Sequence, residues 1–201
     1  MEITFPDNFQ IEPRQATILL AAFEAFRLYG YKRVSMEDIA RGAGMSRAAL
    51  YQYYRNKQDI FRSILTVYFE MAVAGLRAAL EGAPDLETAF TRAFEAQGGE
   101  IMEALLSSPH GDEFIDEKAS SAADVVEDGK AAMAVMMGDW LARMVADGKA
   151  DAEAVGDPLA CARTMLDALH AQKRPGVAYA DALAAMRRLA LLFARGLAPK
   201  G

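Results

Sequence analysis

The sequence is poor in residues that cross-link, ligate metals or break helices. Cys161 is the single cysteine among 201 residues, which excludes an intramolecular disulfide framework and a multi-cysteine metal site. His110 and His170 are the two histidines, and neither falls in a metal-ligand spacing. His110 with Asp112, Glu113 and Asp116 reads as a solvated acidic loop. No Ser/His/Asp or Cys/His arrangement and no phosphate-cradling glycine loop can be assembled, so neither an enzyme nor a bound cofactor or metal is expected. The longest uninterrupted apolar run is seven residues, Ala131 to Met137, far short of a bilayer span. The first residues, Met1 to Asp7, have neither the basic start nor the apolar stretch of a signal peptide. A cytoplasmic chain with no membrane partner is expected.

What is abundant points one way. There are 40 alanines against seven prolines and 15 glycines. Alanine is the best helix former, and no alternating strand pattern is found, so the fold class expected is all-α. Apolar residues make up 53% and charged residues 25%, a globular composition with enough apolar surface to exclude general disorder.

Charge is unevenly spread. The net charge is −6, yet residues 27–62 hold eight bases and three acids, a net of +5 that leaves −11 elsewhere. A small basic module on an acidic body suits an anionic partner met by one part of the chain.

Helical periodicity organises the chain into about nine helices. Residues 1–11 read as a flexible arm. A first helix opens at Pro13 and stops at Gly30. Ser35 caps a second, which runs to about Gly42. Gly44 allows a left-handed turn residue, and Ser46 caps a third helix to about Tyr54. Asn56 caps a fourth to about Leu80. One or two helices lie between Leu86 and Leu105, with Gly98-Gly99 as a kink, and Phe114-Ile115 belong to a short segment. Further helices are expected over 125–145, from Asp157-Pro158 to about Gln172, and over 179–197, with Lys173-Arg174-Pro175-Gly176 as the turn between the last two.

The spacing over 36–54 meets the requirements of a helix-turn-helix. Ala40 is small where two helices must cross, and Gly44 eases the turn. Ile39, Ala43, Met45 and Leu50 lock the pair. Arg47, Tyr51 and Arg55 share one face of the second helix, with Ala48 and Gln52 beside them. The stretch from Ser35-Met36-Glu37-Asp38-Ile39-Ala40 through Arg47-Ala48-Ala49-Leu50-Tyr51-Gln52-Tyr53-Tyr54 to Asn56-Lys57 closely resembles the DNA-binding signature of tetracycline-repressor-like (TetR/AcrR) transcriptional regulators. Upstream, Phe26 to Gly30-Tyr31 resembles the end of that family's first helix. The resemblance covers about a quarter of the chain, and Tyr54 stands where the family usually has Phe.

That resemblance implies a DNA-binding domain over 12–56 and an effector-binding and dimerisation domain over 57–201. It implies that Arg47, Ala48 and Gln52 face base edges and that Tyr51 and Tyr53 meet the backbone. Ser35 and Lys57 would meet phosphates, and Ser46 belongs to the same set. Double-stranded operator DNA, a second copy of the chain and a small hydrophobic effector are the partners implied. The reading is a homodimeric repressor released from a palindromic operator by an apolar ligand. An activator, a regulator without an effector, and a helical ligand-binding protein with a degenerate head remain alternatives.

Eleven methionines suit an adaptable apolar pocket. Candidate lining residues are Phe69, Met71, Phe90, Phe94, Met102, Met133, Met136, Met137, Trp140, Met144 and Met165. On the last two helices Met165 and Leu169, then Met186, Leu189 and Phe193, form stripes read as a dimer seam. Cys161 reads as a small buried hydrophobe.

Overall fold

A computed structural model describes residues 11–111, 113–114, 121–174 and 176–200. Residues 1–10 of the expected arm, Asp112, Ile115, Asp116 and Pro175 lie outside the described residues. Among those described there are ten helices and no strand: α1 (Pro13–Tyr29), α2 (Met36–Gly42), α3 (Arg47–Tyr53), α4 (Lys57–Glu81), α5 (Leu86–Gln97), α6 (Glu100–Leu106), α7 (Ala123–Ala146), α8 (Ala152–Val155), α9 (Pro158–His170) and α10 (Tyr179–Gly196).

The starts are set by side-chain caps, as the sequence suggests. Asn56 accepts from the Asp59 amide at 2.8 Å, and Asp157 accepts from Ala160 at 2.6 Å ahead of Pro158. Asp85 caps α5 in the same way, accepting from Thr88 at 2.7 Å. Each such oxygen satisfies a donor that the helix itself leaves unpaired. The Gly98-Gly99 kink is a full break that separates α5 from α6. The short α8, capped by Asp151, is an element the periodicity does not reveal, because four residues are too few to show a period.

The chain forms two compact units, Met1–Tyr68 with Ala104–Glu127, and Phe69–Glu103 with Asp128–Gly201. The core of the first is aromatic. Phe61 is fully buried and packs against Phe26, Tyr31 and Phe114 with ring centroids 5.9, 5.1 and 4.8 Å away. Phe114 also meets Phe23 at 5.6 Å. Residues from the middle of the sequence therefore complete the core around α1. Arg62 adds a paired contact, donating to Asp124 at 2.6 Å and to the Ser121 carbonyl at 3.3 Å. That guanidinium holds the Asp124 carboxyl down at about 2.

In the second unit α5 packs along α10. Phe90 lies 5.6 Å from Trp140 and 6.1 Å from Phe94, which in turn meets Phe193 at 6.1 Å. The long helix α4 contributes to both units. By length and composition alone it is apolar enough to cross a membrane, which the absence of a long uninterrupted run does not reveal. Of its buried residues, Phe61, Leu65, Phe69, Leu76 and Leu80 fall on one stripe, and Ile60 is buried to one side of it at the start of the helix.

Gly129 on α7 is a point of close approach. A Cβ there would overlap the Phe69 ring at its root. Ordinarily Gly→Ala inside a helix stabilises by roughly 0.5–1 kcal/mol. Here the sign should reverse: Gly129→Ala is expected to destabilise by about 1–3 kcal/mol through overpacking, read as a fall in the denaturation midpoint. An unchanged or raised midpoint would show that Phe69 moves aside freely.

Candidate nucleic-acid interface

The turn between α2 and α3 is fixed by backbone chemistry. Gly44 has φ +64°, the left-handed conformation that glycine adopts without a Cβ penalty. Its amide donates to the Arg41 carbonyl at 3.2 Å, and the Met45 amide donates to Ala40 at 3.0 Å. Together they form a Schellman stop, which satisfies the last carbonyls of α2. At the other end Ser35 and Asp38 form a reciprocal capping box. The Ser35 hydroxyl donates to the Asp38 carboxylate at 2.6 Å, and these bonds hold the Asp38 carboxyl below its usual value.

The third helix is anchored by little. Leu50 is its one buried residue, set against Ile39 and Ala40, also buried. Ser46 caps it, accepting from the Ala49 amide at 3.1 Å. The other side is open: Arg47, Ala48, Tyr51, Gln52 and Tyr53 are all exposed, and Tyr51 and Tyr53 each show 44% of their surface. The Arg47 guanidinium donates to the Tyr51 hydroxyl at 3.4 Å and lies 5.6 Å from that ring's centre. Tyr54 is buried, and its hydroxyl accepts from Gln15 at 3.1 Å, so this Tyr gains a polar tie that Phe would lack.

Six of the residues singled out by sequence are therefore exposed on α3 or at its cap: Ser46, Arg47, Ala48, Tyr51, Gln52 and Tyr53. Ser35 is exposed at the start of α2, with its hydroxyl engaged by Asp38. Lys57 departs from expectation. Its ammonium donates to the carbonyls of Tyr31, Lys32 and Val34 at 2.7, 3.1 and 3.0 Å, so it points into the protein rather than outward. Sequence reasoning also missed Glu113, which accepts from the Lys32 amide at 2.8 Å. A signal for that contact would have to span 81 positions of sequence.

Most of the expected pocket residues are buried. Phe69, Phe90, Phe94, Met102, Met133, Met136, Met137 and Met165 are buried, while Met71 is half-buried. Two of the set, Trp140 and Met144, line a groove of about 1160 Å³ together with Leu80, Pro84, Leu86 and Arg195. The seam also needs correction. Met165, Leu169 and Met186 are buried within this single chain, because the stripe that looks outward in sequence packs on the chain's own helices. Phe193 packs on Phe94, and Leu189 is half-buried. Leu192 instead stands 61% exposed on α10. Among the described residues no group of three or more His, Cys, Asp or Glu is placed to hold a metal ion.

Two short capped helices joined by a left-handed glycine, the second presenting a polar and aromatic face, define a helix-turn-helix domain. Residues 18–64 match the model of the bacterial regulatory proteins of the tetR family. It is 33% identical over 85 residues to the HTH-type transcriptional activator FasR of Mycolicibacterium smegmatis, covering 42% of this chain and 39% of that protein. It is 31% identical over 116 residues to the HTH-type transcriptional regulator EthR of the same species, covering 51% and 52%. The chain thus matches about half or less of these relatives' lengths. The fold extends further: the fatty acid degradation regulator FadR from Bacillus halodurans superposes over 92% of this chain and 97% of its own, with a TM-score of 0.72 at 18% identity. Salmonella enterica GusR does so over 94% and 100%, also at 0.72, with 19% identity.

Because α3 is only seven residues long, its cap carries much of its order. Ser46→Ala is expected to cost about 1 kcal/mol, read by chemical denaturation. Ser46→Asp should retain the stability that alanine loses. Equal stability of all three forms would show that the cap contributes nothing.

Proposed function

We propose that this chain is a DNA-binding transcriptional regulator that lays α3 in the major groove of an operator. The observation that carries the reading is that α3 exposes Arg47, Ala48, Tyr51, Gln52 and Tyr53 and buries Leu50 alone. Arg47 reads a guanine edge and Gln52 an adenine edge, the pairings their hydrogen-bonding groups favour. Ala48 is small enough to let the helix sit deep and to touch a thymine methyl. Tyr51 and Tyr53 reach the sugar–phosphate backbone, and Ser35 and Ser46, at two helix N-termini, stand where phosphates are attracted.

The regulator acts in the cytoplasm as a homodimer that represses until a small apolar ligand releases it. A twofold pair of heads reads two half-sites, so the operator is an imperfect palindrome. The groove at Trp140 and Met144 supports a ligand with an apolar body, and the exposed Leu192 on α10 supports a seam along that helix.

Selection of bound duplexes from a random pool tests the core of the reading. The wild type should enrich one palindromic family, and Arg47→Ala or Gln52→Ala should each lose about 1–3 kcal/mol of discrimination at its own base position. No enrichment at any salt concentration would sink it. The dimer is tested separately by light scattering. Leu192→Glu, at an exposed position the fold tolerates, should give monomers where the wild type gives dimers. A wild-type monomer would end the dimer proposal without touching the DNA-binding one.

A further inference from the structure

The connection between α1 and α2 is held from two sides by opposite charges. Lys57, the first residue of α4, is a poor choice for that position by itself. The start of a helix carries partial positive charge, and a cation in the first turn is disfavoured. The structure offsets this with three carbonyl oxygens, those of Tyr31, Lys32 and Val34, at 2.7, 3.1 and 3.0 Å from Nζ. An ammonium has three protons, and it donates to each of these acceptors. The Tyr31 ring centre lies 4.5 Å from the same nitrogen. Tyr31 and Val34 are buried, so this carbonyl cluster belongs to the protein's interior side.

From the other side comes Glu113. One of its carboxylate oxygens accepts from the Lys32 amide at 2.8 Å. Its other oxygen fills the space where a Cβ of residue 30 would stand, and Gly30 has φ +84°. His110 adds to the grip, its amide donating to the Arg27 carbonyl at 3.3 Å and its ring nitrogen lying 3.6 Å from Glu113. A cation thus gathers the loop's carbonyls and an anion takes an amide of the same loop. The held segment leads directly into Ser35, the N-cap of α2, and α2 leads through the Schellman turn into α3.

We propose that Lys57 and Glu113 are positioning residues: they clamp residues 30–34, and through α2 they set the pose of the recognition helix, with Lys57 making no phosphate contact. The proposal rests on the DNA-binding reading above only for its consequence on affinity. A phosphate contact would require Lys57 to leave these three carbonyls. Charge-assisted hydrogen bonds of this kind are the strong ones.

Salt dependence separates the two roles. A lysine that neutralises a phosphate contributes roughly 0.9 to the slope of log affinity against log salt. A lysine that acts through the loop contributes affinity and no slope. The full-length chain carrying Lys57→Met, Glu113→Leu or Glu113→Gln should be compared with wild type on a duplex selected from a random pool, over a series of KCl concentrations. Amide exchange at Lys32 should be followed by NMR without DNA. Lys57→Met is expected to weaken binding about tenfold or more at every salt concentration, with the wild-type slope. Glu113→Leu should lose Lys32 protection and weaken binding similarly. Glu113→Gln keeps a carbonyl oxygen for the Lys32 amide and should restore both.

The proposal is overturned if Lys57→Met lowers the slope by about one unit, or if Glu113→Leu leaves Lys32 exchange and affinity at wild-type values. Should Lys57→Met fail to fold, the Glu113 pair decides, since rescue by Gln and failure by Leu cannot come from general instability. If the wild type selects no duplex, the regulator reading fails. Lys32 exchange in the two Glu113 variants then still decides the clamp: loss in Leu with rescue in Gln supports it, and no change removes it.

Discussion

The burial of one ring, Phe61, is the constraint on which the N-terminal unit depends. It is fully enclosed, and its neighbours come from three separate stretches of sequence: Phe26 on α1, Tyr31 in the following connection, and Phe114 beyond α6. The helices that present the candidate surface, α2 and α3, have seven residues each. Isolated helices shorter than about 12–15 residues are marginal in water. They hold their shape because α1 packs on α2 and α2 on α3, and α1 is itself packed through Phe26 on Phe61. Truncating such a ring generally costs about 3–5 kcal/mol, a large share of the stability of a small unit.

A recognition surface asks a helix to do something unfavourable, which is to leave large side chains in water. Tyr51 and Tyr53 are each 44% exposed, and Leu50 alone is buried on α3. The local devices around α3 offset this weakness. The Ser46 cap starts the helix, the Gly44 turn stops the previous one without orphaned carbonyls, and the Ser35–Asp38 box starts α2 from both directions. The Arg47–Tyr51 contact limits the freedom of two long side chains before any partner arrives, which lowers the ordering cost that binding must meet.

The parts of this structure legible in the sequence are those set by neighbours a few residues apart. Ser35, Ser46, Asn56 and Asp157 announce helix starts, and Gly44 announces a left-handed turn, because capping and backbone strain act over a single turn of chain. Ala40 and Leu50 are readable as a crossing because the motif itself spans a short stretch. The direction in which a long side chain turns is different. Lys57 reads as an outward cation, yet it turns inward because the carbonyls of residues 31–34 lie beside it only after folding. An apolar stripe announces burial but not what buries it. Met165, Leu169 and Met186 look like a seam between subunits and are instead covered by this chain's own helices. Phe90, Phe94 and Met133, read as pocket lining, are buried in the same way, and the wall of an internal pocket and a packed core share that burial. Alanine-rich α7 blurs the matter further, since a small side chain fits an interior, a crossing or a surface equally well.

Positive charge is concentrated in one segment of limited size. Residues 27–62 carry a net +5 while the remainder carries −11. Over distances beyond about 8 Å such fields are largely screened at physiological ionic strength, so each region meets a polyanion on its own terms. A uniformly basic protein would hold any duplex tightly through counterion release, independent of sequence. Here the positive charge is confined to one segment, and one of its cations, Lys57, is engaged by backbone carbonyls. What is left facing outward on α3 is one guanidinium, one amide and two phenols, groups whose value depends on meeting the right base edge or backbone position. On the proposed DNA-binding reading such a surface depends on geometry, and geometry is what the caps and the packing around Phe61 fix.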